Sequence, residues 1–174
     1  MKIAIFKVLC QIQPSSVQFS QELLKLINTT PEDIIPLLLK NARILPETLE
    51  NRDQILTQMC HYSFIYSNLE QEVPNVLWTL CHRGSVIKTS PYILERLLDV
   101  LPNDVLNNNL DLLLVTGVKV FLQSPAETQH ILGRIFHYAN QQVGTAADVS
   151  DKLHFYSNLL KNHSALCRKT LLQI

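Results

Sequence analysis

The chain has 174 residues, 47% of them hydrophobic, and it contains only four glycines. This composition is too apolar for a disordered protein and too poor in glycine for a fold built on hairpin turns, so it favours helices. Fifteen Lys and Arg residues balance fifteen Asp and Glu residues, which leaves no net charge to attract nucleic acid or an anionic membrane. At this length, a single domain over residues 1–174 is the simplest expectation.

The two most apolar stretches are too short to direct the chain into or across a membrane. Near the N-terminus, Lys2 and Lys7 enclose only four apolar residues, fewer than the ~7–15 that a signal peptide needs. Residues 110–122 contain Asp111 and Lys119 and fall short of the ~18 unbroken apolar residues of a membrane-spanning helix. We therefore expect a cytoplasmic protein that recognises its partners by local surface.

The first part of the chain carries signals for helix starts. Thr30-Pro31-Glu32-Asp33 combines a capping residue, a proline that has no amide to leave unpaired, and an acid at the third helical position. This is the pattern of a capping box. Pro36 lies inside the apolar run that follows, where a proline is expected to kink or restart the helix. Pro46 is expected to open another helix.

From residue 73 onwards, apolar residues recur three or four positions apart, as in amphipathic helices, and the alternation typical of strands is absent. The apolar stripes are Val73, Val76, Leu77 and Leu80; Ile93, Leu94, Leu97 and Leu101; Leu106, Leu110, Leu113, Leu114, Gly117 and Phe121; Ile131, Ile135, Phe136 and Ala139; and Val149, Leu153, Tyr156 and Leu160. Helix starts are predicted at Ser90-Pro91 and at Ser124-Pro125-Ala126-Glu127. The whole chain is predicted to contain about ten helices.

The architecture follows from two further features. The starts at Ser90 and Ser124 are 34 residues apart, close to the ~34–47-residue units of helical-repeat proteins. The last stripe is accompanied by a second apolar pair, Phe155 and Leu159, and a helix that is apolar on two faces needs neighbours on both. These features favour an all-α, HEAT/armadillo-like helical-repeat solenoid, with a compact helical bundle as the alternative.

No arrangement of side chains in the sequence indicates an active site. The pairs Cys60-His61 and Cys81-His82 offer zinc-type donors, but adjacent helical residues point about 100° apart, whereas zinc ligands usually lie two to four residues apart. Six histidines could act as the base for a cysteine nucleophile, yet no local signature accompanies them. We predict no catalytic, cofactor-binding or metal-binding residue. The cysteines are expected to be free thiols: Cys10, Cys60, Cys81 and Cys167.

Residues 73–174 carry a series of motifs in a fixed order. They are Ser90-Pro91-Tyr92-Ile93-Leu94-Glu95, Phe121-Leu122-Gln123-Ser124-Pro125-Ala126-Glu127-Thr128-Gln129, Asp148-Val149-Ser150-Asp151-Lys152 and Phe155-Tyr156-Ser157-Asn158-Leu159-Leu160. The second resembles the Phe-Leu-x-x-Pro-x-Glu-x-Gln run of the beta-adaptin trunk. The last two resemble the Asp-x-x-Asp-Arg-x-x-x-Tyr-x-Arg-Leu-Leu segment that closes that trunk, with Lys152 in place of arginine. The first is most similar to the beta subunit of the fourth adaptor complex, and residues 1–72 resemble the family only as a generic helical repeat.

The resemblance implies a non-catalytic scaffold subunit of a heterotetrameric vesicle-coat adaptor complex, which sorts cargo in intracellular protein transport. The implied partners are the medium subunit and the second large subunit, with residues 148–174 as the expected contact. Through the complex, the protein would lie peripherally on trans-Golgi network or endosomal membranes, without nucleic acid or a cofactor. A full trunk is several times longer, which leaves a fragment, a shortened gene product and a stand-alone remnant as alternatives. The alternatives are a general helical-repeat transport receptor or chaperone and, less favoured, a cysteine-dependent enzyme.

Overall fold

A computed structural model of the protein describes residues 17–45, 49–66, 68–142 and 147–162. These residues form nine α-helices and one short 3₁₀ helix, without a strand. The predicted all-α class is therefore confirmed for the part of the chain that the structure describes, while the repeat type stays a prediction. The chain divides into two compact units, Met1–Thr79 and Leu80–Ile174. A single domain over residues 1–174 likewise stays a prediction.

The first unit is built from helices that bury their apolar stripes against one another. It contains α1 (Val17–Thr29), α2 (Pro31–Lys40), the 3₁₀ helix (Ala42–Ile44), α3 (Arg52–Tyr66) and most of α4 (Leu69–Arg83). Helix α2 packs mainly on α3, and α1 packs on both. The core side chains of these three helices are almost completely buried: Leu23, Ile27, Ile35, Leu38, Leu39, Ile55, Leu56 and Met59.

The second unit is organised around one buried helix. After the end of α4 it contains α5 (Ser90–Val100), α6 (Asn103–Asn108), α7 (Leu110–Gln123), α8 (Pro125–Gln141) and α9 (Ala147–Asn162). Helices α7 and α8, joined by Ser124 alone, form the most extensive pair, and both α5 and α9 pack on the two of them. Helix α7 is apolar and buried nearly all round because it has neighbours on several sides. None of the helices within the described ranges is long and apolar enough to cross a membrane.

The apolar stripes predicted from residue 73 onwards lie on helices, apart from Leu101, which is the C-cap residue of α5. They correspond to α4, α5, α6 with α7, α8 and α9. The third stripe is divided between two helices at Asn109, whose side-chain amide donates a hydrogen bond to the carbonyl of Val105 at 2.8 Å. Asparagine commonly makes such local side-chain bonds in place of continuing a helix, which explains why a continuous apolar pattern here contains a helix boundary.

The close approach of α7 to α8 depends on Gly117. A Cβ atom built on Gly117 would lie 2.7 Å from Cδ1 of Ile135 and 3.4 Å from Cδ1 of Leu132. Glycine within a helix lowers helix stability by about 1 kcal/mol relative to alanine, so helix propensity does not explain Gly117. The packing explains it, because Cδ1 of the buried Ile135 occupies the space that a side chain at position 117 would need.

The predicted capping boxes do not form, although the helices begin where the prolines indicated. Thr30 precedes α2 and Ser124 precedes α8, but neither side chain makes a capping hydrogen bond. The Thr30 hydroxyl instead donates to the carbonyl of Leu26 at 3.3 Å. Because a single residue separates each of these helices from the one before it, the last carbonyls of the preceding helix compete for the hydroxyl.

Other predicted helix boundaries also differ. Helix α5 begins at Ser90 rather than after it, with Thr89 as the N-cap residue, and the buried Ser90 hydroxyl donates to the carbonyl of Gly84 at 3.3 Å. Helix α2 continues through Pro36 without a restart, while the alternative expectation of a kink stays a prediction. The start predicted at Pro46 lies outside the described residues.

Candidate interaction surface

Three polar contacts between α8 and the segment formed by α5 and the start of α6 each join residues that are 35 positions apart. They are His130 Nε2 to Glu95 Oε1 at 2.8 Å, Arg134 Nη2 to Asp99 Oδ1 at 2.6 Å, and the Tyr138 hydroxyl to the Asn103 carbonyl oxygen at 2.8 Å. Successive contacts advance by four residues, about one helical turn, in both segments. Helices α5 and α8 therefore run in the same direction, side by side. We call these six residues the polar ladder.

The polar ladder gives the second unit a structural interval of 35 residues. The interval of 34 residues between Ser90 and Ser124, noted in the sequence, differs from it by one. Parallel helices at this interval are consistent with the predicted helical repeat, whose type stays a prediction. Sequence reasoning missed the ladder, although the spacing of the two Ser-Pro starts was a signal of it.

The ladder lies on the protein surface. The side chains of His130 and Asp99 are 59% and 55% exposed, and exposed ion pairs typically contribute about 0.2–1 kcal/mol each. The buried apolar side chains of the second unit therefore provide most of its stability, while the ladder joins the exposed sides of α8 and α5.

A shallow groove lies at the end of the ladder, between α5, α6 and α8. It is lined by Leu98, Asn103, Leu106, Arg134, His137, Tyr138 and Gln141. Burial, and to a smaller extent the carboxylate of Asp104, raise the pKa of Tyr138, so its hydroxyl remains a hydrogen-bond donor at neutral pH. An open groove with mixed polar and apolar lining resembles the edge of a protein interface more than an enclosed small-molecule site.

A further ion pair fixes α9 to α7. Nζ of Lys152 lies 2.7 Å from Oδ2 of Asp111, and both side chains are partly exposed. Lys152 occupies the position at which the beta-adaptin motif has arginine. The contact shows that lysine is sufficient for a single carboxylate oxygen, although it lacks the two-pronged geometry of a guanidinium.

Of the second apolar pair predicted on α9, Phe155 and Leu159, one side chain is exposed and the other packs inward. Val149 and Leu153 are buried on the inner side of the helix, which packs on α7 and α8. On the outer side the Phe155 side chain is 59% exposed, with its ring edge-on to Tyr156 at a centroid distance of 5.3 Å. Leu159 is half-buried and packs against the core cluster of Val118, Leu122 and Leu132. We call Phe155, Asn158 and Asn162, which line one shallow groove, the outer face of α9.

The cysteines of the two Cys-His pairs are buried, and burial opposes ionisation of their thiols. Complete burial raises the pKa of Cys60 to about 12. Burial also raises the pKa of Cys81, and the nearby Lys119 and Thr116 oppose this effect only in part. Nucleophilic and metal-binding thiols need the opposite change, because the thiolate is the reactive form. Within the described ranges, no three His, Cys, Asp or Glu side chains are grouped so that they could hold a metal ion.

Comparison with known proteins points to one class, the beta subunits of adaptor complexes. The matching protein is the AP-4 complex subunit beta-1 of Mus musculus, which is 33% identical over 85 residues. The aligned region covers 49% of this chain and 11% of that protein, so the chain spans about a tenth of the length of the relative it matches. No protein-family model and no solved structure matches the chain. The adaptor resemblance is thus supported for about half of the chain.

Proposed function

We propose that this chain is a non-catalytic scaffold within a vesicle adaptor complex and that it acts by binding other proteins. The observation that carries the proposal is the 33% identity to the AP-4 complex subunit beta-1 over 85 residues. The all-helical fold and the surface position of the polar ladder support a binding role. On this proposal the protein is cytoplasmic and lies on trans-Golgi network or endosomal membranes through its complex, where it takes part in cargo sorting.

The proposed partners are the medium subunit and the second large subunit of the complex, with residues 148–174 as the main contact. The outer face of α9 supports this assignment, because an exposed phenylalanine next to a half-buried leucine is the kind of apolar anchor on which protein interfaces are centred. The similarity of Ser90-Pro91-Tyr92-Ile93-Leu94-Glu95 to the fourth adaptor complex, together with the name of the mouse relative, favours that complex over the others.

The absence of catalysis is part of the proposal. It is supported by the raised pKa of both described cysteines, since a cysteine nucleophile would need a thiol that ionises near neutral pH. A general transport receptor or chaperone would also be non-catalytic, but no feature of the described residues favours either of them over an adaptor subunit.

The test is affinity purification of the tagged 174-residue chain from cells, with quantitative mass spectrometry of the proteins that accompany it. We expect the medium and second large subunits of one adaptor complex to be enriched, and those of the fourth complex above the others. Enrichment of unrelated cargo proteins without adaptor subunits would contradict the proposal and favour a transport receptor.

A second experiment tests the contact region. Deleting residues 148–174 should abolish recovery of the medium subunit, and unchanged recovery would show that the contact lies elsewhere. Because this deletion also removes Val149 and Leu153 from the core, the point variant Asn158→Arg is the more specific test. It places a charge on the exposed side of α9 without altering a buried residue. Lys88→Glu, an exposed substitution in the turn between α4 and α5, serves as the matched control.

A further inference from the structure

Helices α5 and α8 bury corresponding sides. Buried residues recur on the two segments at an interval of 34 positions: Leu94 with Thr128, Leu97 with Ile131, and Leu101 with Ile135. Because the two helices also run in the same direction, residues that are 34 positions apart lie on corresponding sides of their helices. The side of α8 that faces α5 therefore has a counterpart on α5, and this counterpart faces away from α8.

The counterpart on α5 consists of three exposed side chains at a spacing of about one turn. On α8, the side that faces α5 carries the ladder residues His130 and Arg134. The corresponding residues of α5 are Arg96 and Val100, and Tyr92 lies one turn before them. Tyr92 and Val100 are each 56% exposed, and Arg96 is exposed between them. We call these three residues of α5 the α5 flank.

The polar ladder indicates which partner the α5 flank fits. His130 and Arg134 contact a parallel helix whose carboxylates, those of Glu95 and Asp99, are four positions apart. Arg96 occupies the position on α5 that His130 occupies on α8. A guanidinium binds carboxylates more readily than other acceptors, so the complementary surface is again a helix that carries acidic residues.

We propose that the α5 flank is a docking surface for an acidic helix of another protein. A carboxylate of that helix meets Arg96, and apolar side chains one turn to either side of it cover Tyr92 and Val100. Stacking α8 of a second copy on this flank does not fit, because the side of α8 that corresponds to the acidic side of α5 carries Gln129 and Gly133. The proposal uses only the packing of α5 and α8, and it is independent of the adaptor assignment.

Photo-crosslinking from the α5 flank identifies its occupant. The tagged 174-residue chain is produced in cells with the photoreactive amino acid p-benzoylphenylalanine in place of Val100, and crosslinked peptides are sequenced by mass spectrometry. We expect crosslinks to a segment of another protein that has a helical apolar pattern and acidic residues four positions apart. Crosslinks to this chain itself, to a second copy of it or to a segment without acidic residues would overturn the proposal, as would the absence of any crosslink.

Charge reversal then tests the contact with Arg96. The crosslinked segment is synthesised as a peptide, and its binding to the 174-residue chain is measured by fluorescence anisotropy. Arg96→Glu should weaken binding by about tenfold or more, because like charges across an interface repel. Replacing the acidic residues of the peptide with lysine should restore binding to Arg96→Glu, which an unfolded variant could not show. The matched control, Gln129→Glu, adds the same charge to an exposed position on the far side of α8 and should leave the affinity unchanged.

Protection of the completely buried Cys60 from alkylation shows whether a variant remains folded. If Arg96→Glu fails this check, Arg96→Gln takes its place and should weaken binding by about two- to fivefold, the range for loss of an exposed ion pair. Equal affinity of the parent and the folded variant for the acidic peptide would overturn the proposal.

Discussion

The guanidinium of Arg134 lies 2.6 Å from the carboxylate of Asp99, a residue 35 positions earlier in the chain. This ion pair is the middle contact of the polar ladder, between the His130 contact with Glu95 and the Tyr138 contact with Asn103. The three contacts link the two parallel helices at successive turns in the observed register.

The first prediction concerns the strength of the Arg134 and Asp99 pair. In a double-mutant cycle with Arg134→Gln and Asp99→Asn, we expect a coupling free energy of about 0.2–1 kcal/mol, the range of exposed ion pairs. The coupling should become smaller at 1 M salt, because ions screen exposed charges. Urea unfolding followed by circular dichroism measures both effects. The exposed Lys88→Gln variant should change the free energy of unfolding by less than about 0.5 kcal/mol, and a coupling of zero would show that this ion pair does not stabilise the fold.

The second prediction compares two glycines, one buried and one exposed. Gly117→Ala should destabilise the protein by about 1–2 kcal/mol, because the cost of forcing a methyl group against Ile135 exceeds the gain in helix propensity. Gly133→Ala should instead stabilise it by about 0.5–1 kcal/mol, since a Cβ at that position in α8 meets no atom within 4 Å. Thermal or urea unfolding of the two variants measures the difference. Stabilisation by Gly117→Ala would contradict the close packing of α7 and α8.

The third prediction tests the proposed absence of a cysteine-dependent activity. Cys60 and Cys81 are buried free thiols whose raised pKa keeps them protonated. At pH 7.5 we expect iodoacetamide to modify neither residue in the folded chain, whereas both should react in urea. Site-resolved mass spectrometry provides the measurement. Rapid modification of either thiol in the native protein would contradict this prediction and favour the alternative of a cysteine-dependent enzyme.

The fourth prediction is a pH dependence that arises from Cys60. Its pKa is about 12 in the folded state and 9.0 without the burial, so the unfolded chain loses this proton first. The contribution of Cys60 to stability is complete below about pH 9 and is lost as the pH rises towards 12, by up to about 1.4 kcal/mol per pH unit. Unfolding of the parent should therefore depend more steeply on pH in this range than unfolding of Cys60→Ala. Equal slopes would show that the thiol is solvated in the folded state.

Much of the local structure followed from the sequence. The apolar stripe at Val73 to Leu80 lies on α4, and the prolines at positions 31 and 125 occupy the first position of α2 and α8. Local spacing is sufficient for such predictions because a helix and its first turn are determined by residues close in sequence. The prediction of capping boxes was wrong because the hydroxyl of Thr30 bonds to a carbonyl of the preceding helix. A four-residue motif contains no information about that helix.

What the sequence by itself determined is the helical class and the position of most helices after residue 73. Periodicity and proline chemistry act within a few residues, so they can be recognised without a fold. The tertiary structure alone decided that Asp99 meets Arg134, that Gly117 admits Ile135, and that Phe155 lies outward while Leu153 lies inward. Each of these contacts depends on which helices become neighbours. The packing of whole apolar faces determines the neighbours, and a local sequence pattern contains no information about it.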